Sequence, residues 1–158
     1  AEGMSIRFHE DGVRTMGRAA AGVRGIRRGK DDHVVALSIV SKDATLLVAG
    51  ENGIGKRTDF DDYRVQSRGG KGIKTMKITK KTGKVVGGLT VHEGDEIMLI
   101  TVGGQMVRTS AGGIRQTGRN AQGVRLVNVD DKDRLQDIAP VVSIEKEEEV
   151  VGEEEAEE

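Results

Sequence analysis

Apolar residues fall in short runs of about four to eight along this chain, separated by clusters of Gly, Asn and Asp. Runs of that length, rich in Val, Ile, Leu and Thr, predict β-strands. No 3.6-residue period is sustained anywhere, so helices are expected to be rare. Between residues 45 and 91 the pattern predicts four strands, roughly at 45–49, 55–58, 72–79 and 84–91.

The same series of strands recurs. Three stretches align, "VRTMGRAAAGVRGI" from residue 13, "YRVQSRGGKGIKTM" from 63 and "IRQTGRNAQGVRLV" from 114, with offsets of 50 and 51 residues. Three cation columns emerge: Arg14, Arg64 and Arg115; Arg18, Arg68 and Arg119; Arg24, Lys74 and Arg125. A glycine column, Gly22, Gly72 and Gly123, runs between the last two. Upstream, "TLLVAGENGIGKRT" (45–58) aligns with "IMLITVGGQMVRT" (97–109), which sets Arg57 on Arg108, with Arg7 in the same place in the first copy. Downstream, "DHVVALSIV" (32–40) aligns with "GKVVGGLTV" (83–91) and, more loosely, with "DRLQDIAPV" (133–141).

Four strands recurring every ~50 residues predict an all-β protein of propeller-like blades, each of four antiparallel strands. The expected units are a partial blade over 1–44 lacking its first strand, a second blade over 45–94 and a third over 95–144, followed by an acidic disordered tail over 145–158. Closed propellers use ~4–8 blades. The pattern therefore predicts an incomplete ring, with its first strand and remaining blades upstream or on another chain.

Composition supports the strand reading. There are 23 glycines and a single proline, Pro140, so the glycines mark turns between apolar runs and not a Pro/Gly linker. Aromatics are limited to Phe8, Phe60 and Tyr63, which leaves the core to aliphatic side chains. Cysteine is absent, which excludes disulfides and thiolate metal sites and agrees with a reducing compartment. No apolar run approaches the ~20 residues needed to span a bilayer, and the start shows no apolar signal region, so a cytosolic protein with no membrane partner is expected.

Charge changes the picture more. The net charge is −1, but residues 145–158 hold nine glutamates and one lysine. Setting these aside from the 26 acidic and 25 basic residues leaves 17 and 24 over residues 1–144, a net of +7. A basic body with an acidic tail fits a polyanion-binding surface and an appendage able to compete for it, or a tail that only solubilises.

Enzymatic readings find little support. "GENGIGKR" (50–57) nearly matches a phosphate-binding loop, but Arg57 stands where a magnesium-binding Ser or Thr is needed, and no helical pattern follows. It reads as a hairpin turn. His9, His33 and His92 form no metal set, and the aspartate pairs at 31, 61 and 130 sit in turns. Tyr63 aligns with apolar Val13 and Ile114, which makes it a packing residue in a strand and not a nucleophile. The recurrent cations instead suggest a charged band along the rim, contacting phosphate oxygens without reading bases. The lack of aromatics disfavours single strands, whose binding relies on base stacking, and favours duplex DNA.

The heptad "QSRGGKG", the "NGIGKRT" hairpin, the strand pair "GDEIMLITVGGQMVRT" and the segment "TGRNAQGVRLV" together resemble the C-terminal domain of the DNA gyrase A subunit, over about residues 1–142. The resemblance implies a six-bladed β-pinwheel whose blades exchange strands and wrap duplex DNA around a basic rim in support of negative supercoiling. These copies look like its last three blades. Of the family's signature box, Gln66, Arg68, Gly69, Gly70, Lys71 and Gly72 match, while Ser67 replaces an arginine, as in a degenerate second copy of the box.

The candidate DNA contacts are then Arg14, Arg18, Arg24, Arg57, Arg64, Arg68, Lys71, Lys74, Arg108, Arg115, Arg119 and Arg125. No catalytic residue is expected on the chain. The resemblance places the cleavage tyrosine, ATP and magnesium elsewhere in an ATP-dependent type II topoisomerase. Implied partners are duplex DNA, the remaining blades and N-terminal part of the gyrase A subunit, the gyrase B subunit, and a second copy through open blade edges. A cytoplasmic, chromosome-associated location follows. The A-type subunit of topoisomerase IV and a protein-interaction propeller with a basic rim stand as alternatives, the near-complete heptad favouring gyrase.

Overall fold

The computed structural model describes residues 1–142, which form β-strands with two single 3₁₀ turns at Glu10–Gly12 and Phe60–Asp62. In chain order the strands are β1 (Met4–Ser5), β2 (Thr45–Gly50), β3 (Ile54–Asp59), β4 (Ile73–Lys74), β5 (Val85–Val91), β6 (Glu96–Thr101), β7 (Met106–Ser110), β8 (Val124–Arg125) and β9 (Leu135–Val141). All the strand pairings are antiparallel.

The second copy shows how a blade is built. β2 and β3 close on a tight turn in which the Gly53 amide donates to the Gly50 carbonyl at 3.0 Å, with Gly53 at φ 78°. The glycine–lysine loop is thus a hairpin, and Lys56 lies inside β3. β5 then returns along β2, from Thr45 opposite Val91 to Ala49 opposite Gly87, with a register shift at Ala49/Gly50.

The fourth strand of this sheet comes from the third copy. β8 pairs with β3, Ile54 opposite Arg125 and Gly55 opposite Val124, giving the order β5-β2-β3-β8. The first junction repeats the exchange, with β4 of the second copy pairing with β1 of the first through Met4–Lys74 and Ser5–Ile73. The third sheet, β7-β6-β9, has β7 at its edge. That difference decides burial: β3 is buried from Ile54 to Thr58, whereas its counterpart β7 alternates between exposed and half-buried.

Two predicted strands are corrected. The stretch 72–79 is strand only at Ile73–Lys74. Beyond it the amides of Thr75 and Met76 both donate to the Gly3 carbonyl, at 2.9 and 3.2 Å. Two successive amides converging on one oxygen bend the chain out of the ladder. The stretch 32–40 forms no strand. Its counterparts β5 and β9 each lie along a six-residue strand, β2 or β6. Residues 32–40 pair with no strand among the described residues, bonding to β5 only through side chains, as in Thr90 Oγ1 to Ile39 O at 2.6 Å, and Leu37 and Ile39 are 91% and 83% exposed.

The main core joins the second and third copies. Leu47, Ala49, Val91, Ile97, Leu99, Ala111, Ile114, Val127, Leu135 and Ile138 form one buried cluster, and Val48, Met76 and Val85 form a second. Burial of these aliphatic side chains, at about 25 cal/mol per Å² of apolar surface, supplies the cohesion that sparse aromatics do not. The acidic stretch 145–158 lies outside the described residues.

Candidate nucleic-acid interface

The turn that carries the cations is clamped onto the preceding copy by one set of contacts, used twice. At the first junction the Gln66 amide donates to Arg7 O at 2.8 Å, and at the second the Thr117 amide donates to Arg57 O at 2.8 Å. Next, the glycine column meets the preceding strand. A Cβ on Gly72 would lie 2.1 Å from Ser5 O, and one on Gly123 would lie 2.4 Å from Gly55 O. Both glycines also hold a positive φ, 74° and 101°. Only glycine permits that conformation with backbone so close. Gly22 shares the conformation, φ 82°, but a Cβ there would meet nothing within 4 Å.

The second cation column completes the clamp. Arg68 donates from Nε to Gly12 O at 2.6 Å and from a terminal nitrogen to Arg24 O at 3.2 Å. Arg119 repeats this one copy on, to Asp62 O at 2.7 Å and Lys74 O at 2.9 Å. These arginines therefore fasten each turn to the 3₁₀ turn of the copy before and to the residue of its third cation column, Arg24 or Lys74. Arg18, their counterpart in the first copy, is exposed.

The first and third columns face outward. Arg14, Arg64 and Arg115 are exposed, and the residues before the latter two, Tyr63 and Ile114, are 3% and 5% exposed. In extended backbone the side chains alternate, so burying one residue turns the next to solvent. Lys74 and Arg125 are exposed on the short exchanged strands, Arg24 is exposed outside any strand, and Lys71 is exposed within its turn. Of the other box residues, Gly69 is at φ 82°, and Gln66 carries a buried Nε2 with no partner. Gly70 accepts from the Arg27 amide at 2.7 Å.

Two candidates sit elsewhere. Arg57 is 6% exposed, its guanidinium paired with Glu93 at 2.8 Å. Buried inside β3, it is withdrawn from any phosphate, a correction to the expected contact. Arg108 is exposed on β7 but is paired with Glu96, whose carboxyl it holds below the usual range. Arg7 joins the same column by donating to Phe60 O at 2.8 Å.

Two further features bear on chemistry. Tyr63 packs in the interior outside any strand, its hydroxyl 2.5 Å from Thr75 Oγ1, and desolvation raises its pKa. A neutral, buried phenol is not poised as a nucleophile. Lys56, which no repeat column singles out, is 1% exposed and donates to the carbonyls of Gly118 and Ala121, both at 3.1 Å, and of Arg119. Desolvation, reinforced by the charge of Arg119 and opposed by Asp62, lowers its pKa to about 8. Its counterparts, Ile6 and Val107, are aliphatic, so the alignment of the copies gave no signal for it. Arg28, exposed in the first copy, gave no signal for the same reason, its counterparts being Ile78 and Val129.

The sequence profile of the family described as "DNA gyrase C-terminal domain, beta-propeller" matches residues 1–41, 44–92 and 95–142. The DNA gyrase A subunit of Mycobacterium leprae is 44% identical over 141 residues, which is 88% of this chain and 11% of the relative. That of Salmonella typhimurium is 44% identical over 135 residues, 85% of this chain and 15% of the relative. The chain thus spans a small part of these relatives. Among solved structures, a DNA gyrase A C-terminal domain aligns with TM-score 0.83 and 31% identity, over 89% of this chain and 48% of that one. The C-terminal domain of a DNA topoisomerase IV aligns with TM-score 0.87 at 23% identity, over 99% of this chain and 49% of that one, a likeness of fold.

Proposed function

The chain belongs to the DNA gyrase C-terminal β-propeller domain family, and from that premise we propose that it binds and bends duplex DNA through phosphate contacts along its repeated basic turns. The observation that carries this reading is the pairing of two columns. Arg68 and Arg119 lock successive turns in one geometry, while Arg14, Arg64 and Arg115, with Lys71 and the Arg24–Lys74–Arg125 column, stand exposed at matching positions. Cations repeated at a fixed interval suit a polyanion of regular charge spacing, with no demand for base recognition.

The exposed columns make the direct contacts; Arg57 stabilises its own blade, and Arg68 and Arg119 act mainly by holding the turns. The chain contributes binding and no bond chemistry, serving the A subunit of an ATP-dependent type II topoisomerase in negative supercoiling. ATP and magnesium would be held elsewhere. Its partners are then DNA, the rest of the gyrase A subunit and, through the assembled enzyme, the gyrase B subunit. A cytoplasmic, chromosome-associated location goes with that role.

The test is duplex binding across a salt series. The logarithm of affinity is expected to fall linearly with the logarithm of salt, and Arg64→Ala or Arg115→Ala each to reduce the slope by about 0.9. Affinity indifferent to salt, or binding confined to acidic proteins, would sink the reading.

A further inference from the structure

We propose that Lys56 is a positioning residue for DNA binding: hidden beneath the third-copy turn, its ammonium holds residues 117–121 in the shape that seats Arg119 on the preceding copy and so presents the exposed Arg115 and Arg125 on either side. The inference rests on the DNA-binding reading above. At 1% exposure the ammonium cannot itself reach a phosphate. Its N–H groups are directed inward to three carbonyls of one turn, Gly118, Arg119 and Ala121. An ammonium has three donors and no acceptor, so this turn occupies all of them.

The first junction shows what the lysine replaces. There the equivalent turn, 67–71, lies over Ile6, and a Cβ on Gly70 would be 3.6 Å from the Ile6 Cδ1 methyl. That turn is held instead by two backbone bonds to the first copy, Gly69 N–H to Gly25 O at 2.5 Å and Arg27 N–H to Gly70 O at 2.7 Å. The third-copy turn has neither counterpart among the described residues. It carries Asn120 and Ala121 where the other has Gly69 and Gly70. The lysine thus supplies, from below, the anchoring that backbone pairing supplies at the first junction.

Ile6 also shows that this strand position accepts an aliphatic side chain, so Lys56→Ile is expected to fold. Lys56→Met keeps the unbranched stem and removes only the donors. On the full chain, both are expected to lower amide-exchange protection at Ala121 by about tenfold, equivalent to about 1.4 kcal/mol. Both are also expected to weaken duplex binding about three- to tenfold at fixed salt, with the salt slope unchanged, because no phosphate contact is lost. A slope reduced by about 0.9 with protection intact would mean that Lys56 touches phosphate, and would overturn the proposal. So would unchanged protection and affinity in both variants. Wild-type chain that binds no duplex overturns the functional half alone, since exchange at Ala121 is read without DNA.

Discussion

The two junctions between copies are built from the same backbone contacts, yet the turns they hold rest on different chemistry. Both have an exchanged two-residue strand, a positive-φ glycine against a carbonyl and an arginine bonded to two carbonyls of the preceding copy. Beneath the turn, the first junction has Ile6 and extra backbone pairing, and the second has Lys56 and none. The shared contacts make the join; the residue beneath the turn is free to vary, provided something replaces what it supplied.

The glycine column tests the shared part most severely. Alanine at Gly72 or Gly123 must adopt a disfavoured φ and displace backbone, so a loss beyond about 4 kcal/mol is expected in urea unfolding. Alanine at Gly22 suffers only the φ strain, about 1 kcal/mol. Equal losses at all three sites would show that the close approach to the preceding strand does not decide stability.

The part that differs is open to pH. Lys56 holds its proton less tightly when folded, at about 8, than at its ordinary 10.5. Below about pH 8 the folded protein carries the full cost of the desolvated charge; as pH rises towards 10.5 that cost is relieved while the unfolded chain remains protonated. Stability relative to Lys56→Met should therefore rise through this window, by up to about 1.4 kcal/mol per pH unit. Parallel unfolding curves for the two proteins from pH 7.5 to 9.5 would show that the ammonium is not desolvated.

Smaller effects sharpen the comparison. Arg68→Ala and Arg119→Ala each remove two bonds to carbonyls and should cost about 1 kcal/mol. Arg119→Ala should cost slightly less, because it also removes a cation beside Lys56. Thermal melts of the pair check that order. Arg108→Ala, which breaks an exposed pair with Glu96, should leave the melting temperature unchanged within error.

Much of this was legible in the sequence because a repeat reports the same physical demand more than once. Gly22, Gly72 and Gly123 announce a backbone constraint, and the all-β architecture follows from run lengths alone. What stayed hidden is direction. Arg57 and Arg108 occupy one column, yet β3 is covered by the next copy and β7 is not covered by any of the described residues, so one arginine is buried and the other exposed. Arg68 and Arg119 read as contacts for a ligand, and nothing in the sequence shows that each also gives two donors to the protein's own carbonyls. The stretch 32–40 has strand composition, but composition cannot supply the neighbouring strand that a ladder needs. Lys56 was invisible because its column changes character from Ile6 to Lys56 to Val107.

Gly22 and Gly104 have one property in common: a Cβ on either would meet nothing within 4 Å. Gly104 corresponds to Gly53, where a Cβ would lie 2.4 Å from Val127 O of the following copy. The three copies therefore behave as links cast from one mould, each joint seating glycines of one copy against the backbone of its neighbour. Nothing in the joint counts links. How far such a chain runs before it meets itself is set by the angle between neighbours, a property of the whole arc that no single contact encodes.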